Sequence, residues 1–158
     1  MKPTINIIPF DKKYAKDFYI LNREWLEQYF YVEPFDEEVL SKPDQYIINQ
    51  GGYIFFAKLE DQIVGTYAFM PLKNQAGFEL TKMAVSPSLR GHKIGQQLLE
   101  HCINFAKAQK FEKLLLYSSR KLENAIYLYN KFGFKEVQLE KDLPYKRANI
   151  KMEFDLNK

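Results

Sequence analysis

Apolar residues fall into short blocks along most of the chain, and the block lengths predict its elements. Residues 53–59 (YIFFAKL) and 63–70 (IVGTYAFM) are strand-length runs rich in aromatic and β-branched side chains, joined by a hairpin-like turn at 60–62. Similar runs cover 78–85, 113–118 (KLLLYS), 134–139 and 149–156, and 4–8 (TINII) opens the chain before Pro9. Helical spacing replaces the strand pattern at Tyr14, Phe18, Leu21, Trp25 and Leu26, predicting a helix from an Asp11 cap to about residue 29. A short second helix is expected over 36–40, stopped before Pro43. A third runs from Ile94 to about 109 through Leu98, Leu99, Cys102, Ile103 and Ala106, and a fourth over 122–132, closed by Gly133. Gly65, inside a strand, predicts a bulge or a close backbone approach.

The three strands between 53 and 85 follow one another without helices and should be antiparallel. The strand at 78–85, the helix after it and the strand at 113–118 form a β-α-β unit, so those two strands should be parallel. The expectation is one α/β (α+β) domain over residues 1–158. It would have a mixed central sheet of about seven strands and four helices.

Composition narrows the class. The single cysteine, Cys102, excludes an internal disulfide and lies on an apolar helix face, where a buried, inert thiol is expected. No apolar run approaches the ~20 residues that span a bilayer. The start does not read as a signal peptide, so a reduced, cytoplasmic protein with no membrane partner is expected. The net charge of +3 is divided unevenly, −3 over residues 1–78 and +6 over 79–158. That is too mild, without a basic run, to argue for nucleic acid.

The basic half holds the most informative stretch. After the strand, Ser86-Pro87-Ser88 turns the chain, and Arg90-Gly91-His92-Lys93-Ile94-Gly95 opens a helix. The first turn of a helix has backbone N–H groups without partners and a partial positive charge, and glycines let a ligand approach the backbone. A phosphate or pyrophosphate suits such a turn; an ordinary basic turn is the alternative. Residues 24–44 hold seven acidic residues and one basic one, beside Trp25, Tyr29, Phe30 and Tyr31. This acidic, aromatic stretch would suit an amine or ammonium group, or would serve only to cap and solvate helices.

Read together with Met83-Ala84-Val85-Ser86-Pro87, the basic loop resembles motif A of the GCN5-related N-acetyltransferases (GNAT), Gln/Arg-x-x-Gly-x-Gly/Ala. Arg90 takes the first position and Gly95 the last; Lys93 stands where the family has its inner glycine, with a negative φ expected there. Residues 125–134 (AIYLYNKFGF) resemble motif B, A-x-x-L-Y-x-K-x-G-F. Both motifs occur in the family's order and separation, and the element order resembles the family's along nearly the whole chain. One departure stands out: Leu122 occupies the position where many members carry a cofactor-contacting asparagine. Asn124 is out of register, and Ser119 is the candidate substitute.

The resemblance implies acetyl transfer from acetyl-coenzyme A to a primary amine by direct attack in a ternary complex, with no metal. The strands at 78–86 and 113–118 would splay, with the pantetheine arm between them. The resemblance implies cofactor contacts from Met83, Ala84, Val85, Arg90, Gly91, His92, Lys93, Ile94, Gly95 and Ser119. It also implies Tyr129 as general acid at the leaving sulfur, and either Glu79 or a water chain as general base. The amide near Ala84 or Val85 would meet charge developing on the acyl oxygen. Trp25, Tyr29, Tyr31, Tyr67 and Tyr145 are candidate walls of the acceptor pocket. The acceptor would be a small-molecule or peptide amine. Homodimers are common in the family, and the residues neither support nor oppose one. A catalytically weak acyl-CoA-binding sensor or interaction module is the rival reading.

Overall fold

Seven strands form one sheet in the order β1-β2-β3-β4-β5-β7-β6. The computed structural model describes residues 4–143 and 146–157. The strands are β1 (Asn6–Pro9), β2 (Tyr53–Leu59), β3 (Gln62–Pro71), β4 (Phe78–Val85), β5 (Leu114–Ser118), β6 (Phe134–Val137) and β7 (Ile150–Phe154). Their helices are α1 (Ala15–Tyr29), α2 (Pro34–Ser41), α3 (Pro43–Tyr46), α4 (Ile94–Ala108) and α5 (Glu123–Lys131). The β2-β3-β4 pairings are antiparallel and β4-β5 is parallel, as the connection lengths require.

The described residues form five α-helices rather than the four expected. Pro43 does not end the helical region; it starts α3, because proline's fixed φ and missing N–H suit a first helical position. α2 also begins earlier than expected, at Pro34. Glu33 and Asp36 form a reciprocal capping box in which the Glu33 N–H donates to Asp36 Oδ2 at 2.9 Å. Asp11 does cap the first helical segment, accepting from the Lys13 N–H at 3.0 Å, but the first turn is 3-10 before α1 proper.

Strand alternation sorts the core into two layers. Phe55, Tyr67, Phe69, Leu80, Leu114 and Leu116 pack with α4 residues Leu98, Leu99 and Cys102 on one face. Ile54, Phe56 and Ala68 pack with Phe18, Leu26, Val39 and Leu40 of α1 and α2 on the other. Gly65 is the close approach expected: an added Cβ would sit 3.1 Å from Leu98 Cδ1 and 3.3 Å from Ile94 Cγ2, so glycine lets α4 settle on the sheet.

Two features of β4 part the sheet at its centre. Its pairing with β5 covers only Phe78–Leu80 against Leu114–Leu116, and beyond that the strands diverge. Immediately after the last paired residue, Thr81 and Ala84 pair with Ala68 and Thr66. Two residues of β4 therefore stand opposite one of β3, with Lys82 in the left-handed region at φ 56°. This is a β-bulge, which bends a strand and breaks its pairing.

Candidate active site

The gap between β4 and β5 opens into a cleft of about 930 Å³, lined by α1, β4, the loop before α4, the start of α4, β5 and α5. Every predicted cofactor residue except His92 lines it. His92 is exposed, and its N–H donates to the Leu89 carbonyl at 3.3 Å, so it completes a turn instead of facing the cleft. Gln97 N–H makes the first intrahelical bond of α4, to Lys93 O at 3.1 Å. The amides of Ile94, Gly95 and Gln96 therefore precede the ladder at the cleft wall.

Lys93 departs from the expected negative φ. It is left-handed, φ 63° and ψ 22°, at the N-cap of α4. This is a turn that glycine makes without a Cβ penalty, and here a lysine carries the strain. Arg90 reaches across the mouth of the cleft. One guanidinium nitrogen, Nη1, donates to Gln28 Oε1, and the guanidinium carbon lies 5.6 Å from the Tyr29 ring centroid. The other, Nη2, is buried without a hydrogen-bond partner among the described residues. Lys121 donates to the Tyr29 carbonyl from the opposite side.

The open edge of β4 exposes backbone. Ser86 N–H donates to Val64 O at 2.8 Å, toward β3. Since successive residues of a strand turn their polar groups to opposite sides, Met83 and Val85 turn theirs toward the gap and Ala84 turns its own toward β3. Ser119 is buried at the end of β5 and lines the cleft; its Oγ accepts from the Lys121 N–H at 3.4 Å. Leu122 caps α5 without a side-chain hydrogen bond, and both it and Asn124 line the cleft.

Tyr129 and Glu79, from separate elements, meet the same cleft. Burial raises the Tyr129 phenol to about 12, with a smaller contribution from Cys102. Burial likewise raises the Glu79 carboxyl to about 7, and Glu140 adds to the rise. Lys82, a Thr81 hydrogen bond and Lys151 oppose it. Lys82 lines the cleft beside them, lowered to about 8 by burial against the pull of Asp36 and Glu79.

The candidate pocket walls divide. Trp25 and Tyr29 line the cleft, with ring centroids 5.4 Å apart. Tyr31 does not: it is 63% exposed, because the chain leaves the helical region at Phe30 and turns outward. Tyr67 is also no pocket wall. It is fully buried on the α4 face of the sheet, where strand alternation puts it in register with Phe69, and its hydroxyl lies 2.7 Å from His101 Nδ1. Tyr145 lies outside the described residues. The acidic stretch is largely engaged internally. Glu37 binds Tyr19 and Arg23, Glu38 binds Lys42 and Tyr46, and Glu33 and Asp36 bind Arg147.

Sequence reasoning missed Lys82 and Arg147. Arg147 carries no local signal beyond its charge. Lys82 carries one: Thr81-Lys82 puts two polar residues side by side in a strand, which breaks the alternation and marks a bulge.

An α/β sheet opened between two parallel strands, with a basic loop and a helix start at the mouth, defines an acyltransferase-type fold. The model of the acetyltransferase (GNAT) family matches residues 18–134, and the chain belongs to that family. A Staphylococcus aureus acetyltransferase of the GNAT family superposes with a TM-score of 0.84 at 26% identity, covering 98% of this chain and 100% of that one. A predicted acetyltransferase from Clostridium acetobutylicum, solved with acetyl-CoA, gives 0.71 at 21% identity, covering 89% and 96%. N-acetyltransferase 8 of Rattus norvegicus is 27% identical over 95 residues, 58% of this chain and 43% of that protein. The chain spans less than half the length of the curated relatives it matches. No helix among the described residues is long and apolar enough to cross a membrane.

Proposed function

We propose that the protein transfers an acetyl group from acetyl-coenzyme A to a primary amine by direct attack, both substrates being bound together. The observation that carries this reading is the convergence of four features on one cleft: the unladdered start of α4, the gap-facing backbone of Met83 and Val85, Tyr129, and Glu79. The residues fit the cofactor. Arg90 Nη2, buried and without a hydrogen-bond partner among the described residues, would suit an anionic oxygen. The amides of Ile94, Gly95 and Gln96, with Arg90 and Lys93, would hold the pyrophosphate, and Met83 and Val85 would pair with the amides of the pantetheine arm. Bound there, the thioester supplies an activated acetyl group.

The chain's own residues supply the rest. An ammonium cannot attack, so Glu79 takes the amine's proton; a carboxyl near 7 is suited to this at neutral pH. The Met83 N–H, turned into the gap and nearer Glu79 along the strand than the expected Ala84 or Val85, is the donor for charge developing on the acyl oxygen. Tyr129 fills the general-acid position as a hydrogen-bond donor. Near 12, its phenol is a weaker acid than a thiol near 8.5, so it stabilises the leaving sulfur by a charge-assisted hydrogen bond.

The test is calorimetric titration with acetyl-coenzyme A, using NAD as the control nucleotide, followed by thiol release with a panel of amines. Selective binding at one site per chain and amine-dependent release support the proposal. Binding without turnover of any amine would favour the sensor reading, for which the Leu122 departure is the one argument. No binding at millimolar cofactor would overturn both.

A further inference from the structure

We propose that the acceptor amine carries a carboxylate, and that Lys82 and Arg147 select an amino-acid-like amine over a polyamine or a simple alkylamine. This rests on the acetyltransferase reading. With the start of α4 at one end of the cleft, the acceptor is left the end bounded by Glu79, Lys82, Arg147 and Trp25. Among the described residues lining the cleft, Lys82 shares a strand with Glu79, and Arg147 and Lys121 both lie against the Phe30 ring, so the charged groups around that end are cations and Glu79. Glu79 is the group that takes the proton. The carboxylates that balance the cations stand behind them. Asp36 is fully buried and Glu33 nearly so, and neither lines the cleft.

These cations are held in place. Arg147 makes a two-pronged contact with Asp36, Nη1 to Oδ2 at 2.9 Å and Nη2 to Oδ1 at 2.8 Å, and Nη1 also reaches Glu33 Oε2 at 3.1 Å. Lys82 Nζ lies 4.0 Å from Asp36 Oδ1. The bulge brings Lys82 to this face, next to Thr81, instead of sending it into the apolar layer. An acceptor with its carboxylate one carbon from its amine can present the amine to Glu79 and the carboxylate toward Lys82, three residues along the same strand. The Trp25–Tyr29–Phe30 wall suits an apolar or aromatic side chain. A polyamine would instead bring its second charge against two fixed cations, the like-charge arrangement that rejects a ligand.

The experiment compares matched acceptors with the purified protein and acetyl-coenzyme A at pH 7.5, between the Glu79 and Lys82 transitions, where the base is ionised and the lysine still charged: phenylalanine against phenethylamine, leucine against isoamylamine, and spermidine. The expected result is a kcat/KM at least tenfold higher for the carboxylate member of each pair, with spermidine poorest. In Lys82→Met the ratio of kcat/KM between the two members of each pair should shrink, the larger rise in KM falling on the amino acid. The double variant Arg147→Gln/Asp36→Asn, which neutralises a buried pair together, should do the same; melting curves verify that each variant folds. Equal use of the pairs, preference for the decarboxylated member or spermidine, or a preference unmoved in folded variants would overturn the proposal. So would failure of every acceptor while acetyl-coenzyme A still binds. Loss of acetyl-coenzyme A binding to the unmodified protein would instead overturn the cofactor assignment beneath it.

Discussion

Lys93 gives the sharpest test of the site's backbone. Its φ of 63° places a side-chain-bearing residue in the left-handed region. That conformation costs about 1–2 kcal/mol for a residue with a Cβ. Glycine avoids the cost but adds about 0.5–1 kcal/mol of chain freedom to the unfolded state. Lys93→Gly should therefore be more stable than Lys93→Ala by roughly 0.5–1 kcal/mol, although alanine-to-glycine changes ordinarily destabilise. For a domain of this size the difference corresponds to about 1–4 °C in melting temperature. Comparing two neutral variants removes the lysine charge from the comparison. Thermal unfolding of both proteins in one buffer reads the sign directly, and a lower melting point for Lys93→Gly would refute a left-handed residue 93. The charge is read separately. Lys93→Ala should bind acetyl-coenzyme A about two- to fivefold more weakly than the parent, since one exposed cation contributes at most about 1 kcal/mol.

Tyr129→Phe should lower kcat by about 10- to 100-fold with little change in cofactor affinity, the effect of one charge-assisted hydrogen bond of about 1.5–3 kcal/mol. An unchanged kcat with chemistry rate-limiting would remove Tyr129 from the mechanism. The acid limb of kcat/KM should rise through about pH 7 as Glu79 ionises and disappear in Glu79→Gln; a limb that persists there belongs to another group. Tyr67→Phe should cost about 1 kcal/mol of stability through its lost bond to His101, while acceptor KM stays constant. Burial lowers the His101 pKa below its unfolded value, so its contribution is present above the unfolded pKa near 6.5 and is lost as pH falls. The melting temperature should drop on acidification below that point, and less so in His101→Gln.

Sequence periodicity located the seven described strands and the β-α-β unit, because the central strands bury whole faces and even β1 packs Ile7 and Ile8 against the core. The cleft was anticipated instead through the resemblance of two local motifs, the basic loop and residues 125–134, which are read from contiguous residues. What escaped both is non-local or conformational. Tyr67 looked like a pocket wall because a strand's facing depends on register, and a tyrosine suits either face. The acidic stretch looked open to an ammonium group because its partner Arg147 lies more than a hundred residues away. Lys93 looked like an ordinary helix-start residue because φ is set by the turn required there, which a lysine can adopt only under strain.

The bulge at Lys82 makes the opening of the sheet depend on a single residue. Side-chain facing is already in phase on both sides of it: Leu80 and Met83 share the α4 layer, and Lys82 is an extra residue beside Thr81 on the opposite face. A chain lacking only Lys82 would therefore keep every neighbour on its present face, with no kink to stop β4 from following β5 beyond Leu80 and Leu116. Such a deletion should fold, gain ladder hydrogen bonds along the closed seam, and lose the slot between the strands. Deleting Leu80 instead would throw the charged and apolar positions out of phase. The length of this strand is thus under tighter constraint than its composition, and a shorter β4 would yield a sturdier sheet without a cleft.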